Sequence, residues 1–538
     1  MVGIKRVFGQ KNNMIKTNKI IILGGGSAGW MTASHLISHF PNNDITLIES
    51  KDVPKIGVGE STQQKIFLWA KSIGIDHNKF MKETDASYKL SIRFKDFNHL
   101  GDEGFHYPFG SMTNSILKHG HQDWYLKKTV YPETPNSDFV ESTYSQMSLI
   151  YQNKISTNSF RIFDHFNFEK DIAFHFDAIK FAWWLKEKFA IPKGVKHIES
   201  TVIEVKSGKD GVEALVLEDG STISGDLFID CTGFKSLLIS ETLNEEFIDY
   251  SESLPCNRAW AVQMPYVDKE KELLNYTNCT ALKNGWVWNT PLWSRIGTGY
   301  VYSDKFTTPE EALEEFKNYL KTNTHPVYAP ERDIDSLKFN DVRFKTGRYN
   351  NVWVKNVIAI GLSAGFIEPL ESNGLWTVHE YLRILSRTIS KGYATGLDVA
   401  SYNKFAKVMY NGFSSFVQMH YSLSQRDDSE FWKYMTSGDL KIINEEGSNF
   451  NDYTNSRMSE SSSFEASPGI ACINAGHGVV PFSQGDLNIL NSLGIINPKQ
   501  YVDDMIESSK EFKRVWDKEA DVSLSHYEYL KKKFHSEQ

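Results

Sequence analysis

The spacing of hydrophobic and polar positions changes several times along the chain, and each change marks an element. Four consecutive apolar residues, Ile20 to Leu23, predict a strand buried on both faces. Gly24-x-Gly26-x-x-Gly29 follows and predicts a turn into a helix near Trp30. A second apolar run, Ile45 to Ile48, ends in Glu49. Runs of the same kind recur at Leu227–Asp230 and at Val357–Ile360. Residues 88–96 alternate instead: Tyr88, Leu90, Ile92 and Phe94 face one way, Lys89, Ser91, Arg93 and Lys95 the other. That period predicts a half-buried strand. Helical spacing appears at Ile179, Phe181, Leu185 and Phe189 behind a candidate cap at Asp177. It reappears at Leu375, Val378, Leu382, Leu385 and Ile389, behind Gly374. Residues 201–224 read as two strands around Gly208–Gly211, and 257–303 as strand-rich. Residues 98–165 read as loop-rich, and 400–538 as mainly helical, broken by a polar stretch at 446–464.

Strands alternating with helices, then antiparallel-looking strands, then helices predict an α/β fold. A doubly wound, GxGxxG-type nucleotide-binding domain is interleaved with a sheet insertion and a mainly helical substrate domain. The expected bounds are an N-terminal extension at 1–17, with a second start available at Met14, and a nucleotide module at 18–395. Pocket segments are inserted in that module at about 98–175 and 240–340, and a helical region fills 396–538. The runs at 227–230 and 357–360 return the chain to the first sheet.

Composition narrows the function. The 538 residues carry a net charge of −8 with no long basic run, which argues against a nucleic-acid partner. No apolar run reaches membrane-spanning length, and the N-terminus has no apolar signal core, so a cytoplasmic protein with no membrane partner is expected. Cys231, Cys256, Cys279 and Cys472 are isolated in sequence, so no metal site or disulfide framework is expected. Thirteen tryptophans suit a large core and equally a planar cofactor.

The glycine fingerprint supplies the first chemistry. Gly24 permits the tight turn, Gly26 lets backbone approach a pyrophosphate, and Gly29 lets helix lie close on strand. Ser27 and Ala28 lie in the turn ahead of the helix, whose free N–H groups face the phosphates. Glu49 stands where a carboxylate accepts ribose hydroxyls. The loop Ile56-Gly57-Val58-Gly59-Glu60-Ser61-Thr62 and the returning segments at Asp230 and at Gly361-Leu362 give a long cradle. Val58, Ser61, Asp230, Gly361 and Leu362 are therefore expected beside a flavin rather than a nicotinamide. Only one fingerprint follows a strand, which implies that reducing equivalents arrive from elsewhere.

Three stretches together resemble the flavin-dependent halogenases of the tryptophan halogenase family. They are Gly24-Gly25-Gly26-Ser27-Ala28-Gly29-Trp30, Trp286-Val287-Trp288-Asn289-Thr290-Pro291 and Phe366-Ile367-Glu368-Pro369-Leu370-Glu371-Ser372-Asn373-Gly374. The segment from Tyr88 to Phe94 is similar to the family's lysine segment, F-K-x-x-I-x-F. The resemblance implies an enzyme using FAD as FADH2, oxygen and a halide ion, with a separate flavin reductase and a small aromatic substrate as partners. Hypohalous acid made at the flavin travels inside the protein to a catalytic lysine, Lys89. There an ammonium hydrogen-bonds the acid, or a neutral amine forms a haloamine; the sequence leaves both routes open. Glu371 stabilises the cationic intermediate or accepts its proton, and Ser372 orients the neighbouring groups. The backbone N–H groups of Asn373 and Gly374 form a halide site, with asparagine in the family's threonine place. Trp286, Trp288 and Pro291 wall the flavin from the arene.

The substrate side departs from the tryptophan-specific members. Tyr107 and Phe109 stand where those members have a histidine and a phenylalanine, and 455–468, NSRMSESSSFEASP, lacks the tryptophan that would close over an indole. The expectation is an indole- or phenol-like substrate other than free tryptophan, with bromide or iodide preferred. A homo-oligomer is compatible with all of this. The alternative is a flavin-dependent aromatic monooxygenase, a hydroxylase. It is weakened by Leu362, which stands where many such enzymes carry an aspartate.

Overall fold

The computed structural model describes residues 14–51, 60–113, 121–158, 162–163, 166–326, 328–437, 468–479, 488 and 497–536. Val58, the polar stretch at 446–464 and residues 455–467 of the expected substrate clamp lie outside the described residues.

The apolar runs form one six-stranded sheet. Its order is Lys196–Glu199, Asp44–Glu49, Lys19–Leu23, Leu227–Asp230, Val357–Ala359 and Trp353–Val354. All neighbours are parallel except the last hairpin. Ile20, Ile21, Ile22, Phe228, Ile229, Val357 and Ile358 have no exposed surface, as strands covered on both faces require. Helix α1, Ser27–His39, leaves the central strand at Gly26. The neighbours Lys19–Leu23 and Leu227–Asp230 are about 200 residues apart in sequence, so the nucleotide sheet is assembled across the whole first part of the chain.

A seven-stranded sheet lies beside it, in the order Asn340–Arg343, Arg258–Met264, Ile296–Tyr302, Gly285–Pro291, Tyr276–Leu282, Ser91–Lys95 and Phe105–Pro108. A smaller sheet, Glu60–Ser61, Ala173–Phe176 and Ser87–Lys89, sets Ser61 opposite His175 and Lys89 opposite Ala173. Helix α2, Gly374–Ile389, buries Leu375, Val378, Leu382, Leu385 and Ile389 as its period predicts. Helix α3, Gly396–Ser422, begins in a capping box between Thr395 and Asp398. Helices α4, Pro468–Gly476, and α5, Pro498–Val522, follow.

Four expectations are corrected. The alternating stretch 88–96 is two strands, broken at Leu90, whose N–H goes to the Asn275 carbonyl. Its polar face is not open: Lys89 and Ser91 are as buried as Tyr88 and Leu90. Residues 98–165 carry helices at His121–Val130, Asp138–Thr143 and Met147–Tyr151. Asp177 does cap its helix, through Ile179 and Lys180, but Ile179 faces outward, while Phe181, packed on Phe176 and Phe80, and Leu185 are buried. The extension reaches only its final residues before pairing begins, since Ile15–Lys16 pairs with Tyr393–Ala394. Among the described residues no helix is long and apolar enough to cross a membrane, and no cluster suits a metal ion.

Candidate active site

Lys89 closes its short strand with an ammonium that touches no solvent. Its Nζ donates to Ser61 Oγ at 2.8 Å, Ser372 Oγ at 2.8 Å and the Thr62 carbonyl at 3.0 Å. The same nitrogen lies 5.1 Å from the centre of the Phe109 ring. Burial disfavours the charged form and brings the amine down to about 7, against the pull of Cys279 and Glu371 toward the ammonium. Sequence pattern put this lysine on a strand; the sheets around it enclose it.

The carboxylate comes from the other end of the chain. Pro369–Glu371 makes one 3-10 turn, Ser372 takes a left-handed conformation at φ 55°, and α2 starts at Gly374. A serine held there costs on the order of 1–3 kcal/mol, offset by the bonds its hydroxyl makes to Lys89 and Ser61. Glu371 is fully buried, and its Oε1 lies 2.8 Å from His420 Nε2 on α3. Despite that distance, neither carboxylate oxygen has a well-aligned hydrogen bond among the described residues. Gln63 fixes the same segment by donating its side-chain amide to the Glu371 carbonyl. Asn373 is buried with its side-chain oxygen unpartnered among the described residues, next to the first N–H groups of α2.

Trp286 and Trp288 lie on strand Gly285–Pro291 with ring centres 6.3 Å apart. Trp286 donates its indole N–H to Glu368 Oε2 at 2.8 Å, and Tyr421 donates to the same oxygen at 2.8 Å. Burial pushes the Glu368 carboxyl up, toward its neutral form. The Trp288 ring covers Gly299, where an added Cβ would lie 2.1 Å from it. Pro291 ends the strand, and its carbonyl accepts from Ser87. Tyr107 and Phe109 meet edge to face at 5.9 Å, and Phe416 of α3 packs on Tyr107.

The nucleotide end is built for backbone contact. Gly24 sits at φ +115°, and a Cβ there would strike the Cys231 carbonyl oxygen at 2.2 Å. Gly29 lies against Gly24, Gly361 against Ala28, and Gly25 against the Glu49 side chain. Around Gly26 the space is open, as a pyrophosphate at the mouth of α1 requires. Ser27 bonds the Ala178 carbonyl. Glu49, at its strand end, lies 2.9 Å from both Lys186 and His197. Leu362 is half-buried in the turn Gly361–Ser363. Two residues expected beside the flavin have side chains that bond within the protein. Asp230 accepts from Thr232, Leu238 and Ile239, so its carboxylate is consumed in tying the strand end to the following turn. Ser61 Oγ accepts from Lys89 and lies 2.8 Å from Thr277 Oγ1. The open turn at Gly26, the helix mouth and Glu49 still fit the dinucleotide.

The family described as tryptophan halogenase matches residues 19–488. The chain belongs to the tryptophan halogenase family. Its sequence is 33% identical over 444 residues to Tryptophan 6-halogenase ThaL of Streptomyces albogriseolus, covering 78% of this chain and 79% of that one. The structure titled VirX1 apo structure superposes with a TM-score of 0.88 at 34% identity, over 97% of this chain and 100% of that one. Xcc4156, a flavin-dependent halogenase from Xanthomonas campestris, gives 0.81 at 26% identity, over 96% and 98%. This member of the family is thus a flavin-dependent halogenase, an oxidoreductase that uses FADH2 and halide on an aromatic substrate, with a separate reductase supplying the flavin. Sequence reading gave no role to Glu368, though it lies within a quoted motif, and none to His420. The latter is one polar position in a 27-residue helix, with no local signal to set it apart.

Proposed function

We propose that this halogenase places a halogen on electron-rich arenes, indole- or phenol-like, other than free tryptophan, by electrophilic substitution between Lys89 and Glu371. Reduced flavin, when bound, would activate oxygen, and oxygen would supply the two-electron oxidation that converts halide into hypohalous acid. Gly24, Gly26 and Gly29 with the α1 mouth hold its pyrophosphate, and Glu49 its ribose. The N–H groups of Asn373 and Gly374 hold the halide. Trp286, Trp288 and Pro291 keep the arene from the flavin, so that hydroxylation is suppressed.

One observation carries the reading: Lys89 Nζ bonds Ser372 Oγ at 2.8 Å, directly beside Glu371, although the two segments lie 283 residues apart. A lysine near neutrality has a lone pair to offer, which favours the amine route. The nitrogen attacks hypohalous acid, forming N–X and releasing water. The arene then takes the halogen from nitrogen, Glu371 accepts the ring proton, and a proton returns to the amine. Tyr107 and Phe109 flank the ring. A tyrosine in place of histidine, and asparagine at the halide turn, support an altered arene range and the more easily oxidised bromide and iodide.

Purified protein with a flavin reductase, NADH, each of the three halides and a panel of arenes tests this. Halogenated indoles or phenols are expected, with the product lost in Lys89→Ala. Hydroxylated product alone, or a Lys89→Ala variant as active as the parent, overturns it.

A further inference from the structure

A line of hydroxyls runs from Lys89 to a buried histidine. Ser61 Oγ, 2.8 Å from Lys89 Nζ, lies 2.8 Å from Thr277 Oγ1. Thr277 Oγ1 lies 2.8 Å from His175 Nε2. The other ring nitrogen, Nδ1, is 3.2 Å from Ser87 Oγ, and Ser87 donates its single proton to the Pro291 carbonyl. His175 has no exposed surface, and Thr277 almost none.

Chemistry fixes the direction of every link. Ser87 has already given its proton away, so His175 Nδ1 must be the donor to Ser87 Oγ, and Nε2 carries the lone pair. Thr277 must then donate to Nε2. Its own oxygen accepts from Ser61, and Ser61 accepts from Lys89. Ser372 fits the same order: it accepts from Lys89 at 2.8 Å and donates to Ser61 at 3.0 Å. Ser61 thereby has two acceptor contacts and one donor contact, which is the capacity of a hydroxyl.

We propose that His175 is the proton acceptor for Lys89, reached through Ser61 and Thr277, and that this relay frees the lysine nitrogen for attack on hypohalous acid. The proposal rests on the amine route above. Three protons shift together: one from Nζ to Ser61, one from Ser61 to Thr277, one from Thr277 to His175 Nε2. A neutral amine and an imidazolium result, with no proton gained or lost by the set. The amine then attacks the acid, X bonds to nitrogen, and water leaves. After the halogen has gone to the arene, the return of the proton along the line restores the neutral amine, and the ring proton taken by Glu371 balances the one still needed to restore the ammonium. The charged or titratable groups facing the pair are Glu371 and Cys279 beside Lys89, and His526 beside His175. While Lys89 keeps its proton, burial and that nearby positive charge hold His175 neutral. Loss of the lysine charge removes the second of these, so the acceptor becomes more basic as the donor empties. Ser61, Thr277 and Ser87 are positioning residues here; none touches the arene.

Thr277→Val tests the relay, because it removes one hydroxyl and leaves Lys89 and His175 in place. Arene halogenation at pH 7 is expected to fall at least about 10-fold, within the range that positioned proton transfer contributes. Halide oxidation without arene should stay within about 2-fold of the parent. The solvent isotope effect on arene halogenation should rise, and Thr277→Ser should restore the parent value. A second readout needs no flavin: ¹⁵N spectra of histidine-labelled, flavin-free protein should show His175 protonated on Nδ1. An Nε2-protonated ring, or an unchanged rate and isotope effect in Thr277→Val, overturns the relay. Retained halogenation in Lys89→Ala overturns instead the amine reading beneath it.

Discussion

His420 Nε2 lies 2.8 Å from Glu371 Oε1, and neither side chain reaches solvent. Nδ1 of the same ring lies 3.0 Å from the Phe416 carbonyl, which can only accept, so Nδ1 carries a proton and Nε2 faces the carboxylate. Neither atom has a well-aligned hydrogen bond among the described residues, so the two face each other with acceptor capacity unused. The pair is therefore suited to receive the proton of the arene and hold it away from Lys89. His420→Phe keeps the ring's bulk beside Phe94 and removes the nitrogen. Halogenated product per NADH consumed should fall about 10-fold, with hypohalous acid formation unchanged. Product yield per NADH measured with a saturating arene checks this.

The buried amine predicts a rate profile. Lys89 titrates at about 7, so the neutral form, and with it arene halogenation, should rise with pH through that value. Single-turnover halogenation between pH 5.5 and 8.5 measures the limb.

The same group predicts a stability profile of definite sign. Unfolded, the lysine holds its proton up to about 10.5; folded, it loses it above about 7. Between those values the unfolded state binds more protons, so this group's contribution makes the folded state more stable as pH rises from 7 to 10.5. In Lys89→Met that dependence is absent. The denaturant midpoint of the parent, relative to Lys89→Met, should therefore climb with pH across the window and be flat below 7.

Glu368 should tolerate an amide and reject a hydrocarbon. Its Oε2 accepts from both Trp286 and Tyr421, and burial favours the neutral carboxyl. Glu368→Gln keeps an acceptor oxygen of the same shape. Glu368→Leu leaves the Trp286 indole N–H buried without its partner, at about 1–3 kcal/mol of stability, and leaves the Tyr421 phenol only the Cys256 thiol. The loosened Trp286 should also raise the share of NADH lost to peroxide. Thermal melts and peroxide yield, read together, check both effects.

Gly25 should resist any side chain. A Cβ there would meet the Glu49 carboxylate at 1.8 Å and its Cβ at 2.5 Å. Gly25→Ala should displace Glu49 from the ribose position and weaken flavin binding at least about 10-fold, since a charge-assisted hydrogen bond to a carboxylate contributes roughly 1.5–3 kcal/mol. Fluorescence titration with FAD measures it.

Much of this was legible in the chain. Uninterrupted apolar runs at Ile20–Leu23, Leu227–Ile229 and Val357–Ile358, too short for helices, read as strands covered on both faces, and they are neighbours in one sheet. A glycine turn between such a strand and a helix has few uses, so the nucleotide end was readable as well. The 3.6-residue period behind Gly374 named the buried face of α2 residue by residue. Alternation at 88–96 marked extended chain but neither the break at Leu90 nor the surroundings of its two strands. Period reports which side chains share a face, whereas exposure depends on what packs against it.

What only the tertiary structure decided follows from that difference. Lys89 becomes a near-neutral amine because sheets from distant parts of the chain close over it, and desolvation is a property of the enclosure. Ser61 joins the lysine and Asp230 its own turn because hydrogen bonds of 2.6–3.0 Å select partners by direction in space. His420 meets Glu371, and His175 meets Thr277, across 49 and 102 positions of chain, a separation over which residue pattern carries no information about distance. Local chemistry wrote the elements and the motifs. The packing of those elements set the charge of the lysine and the partners of the carboxylate.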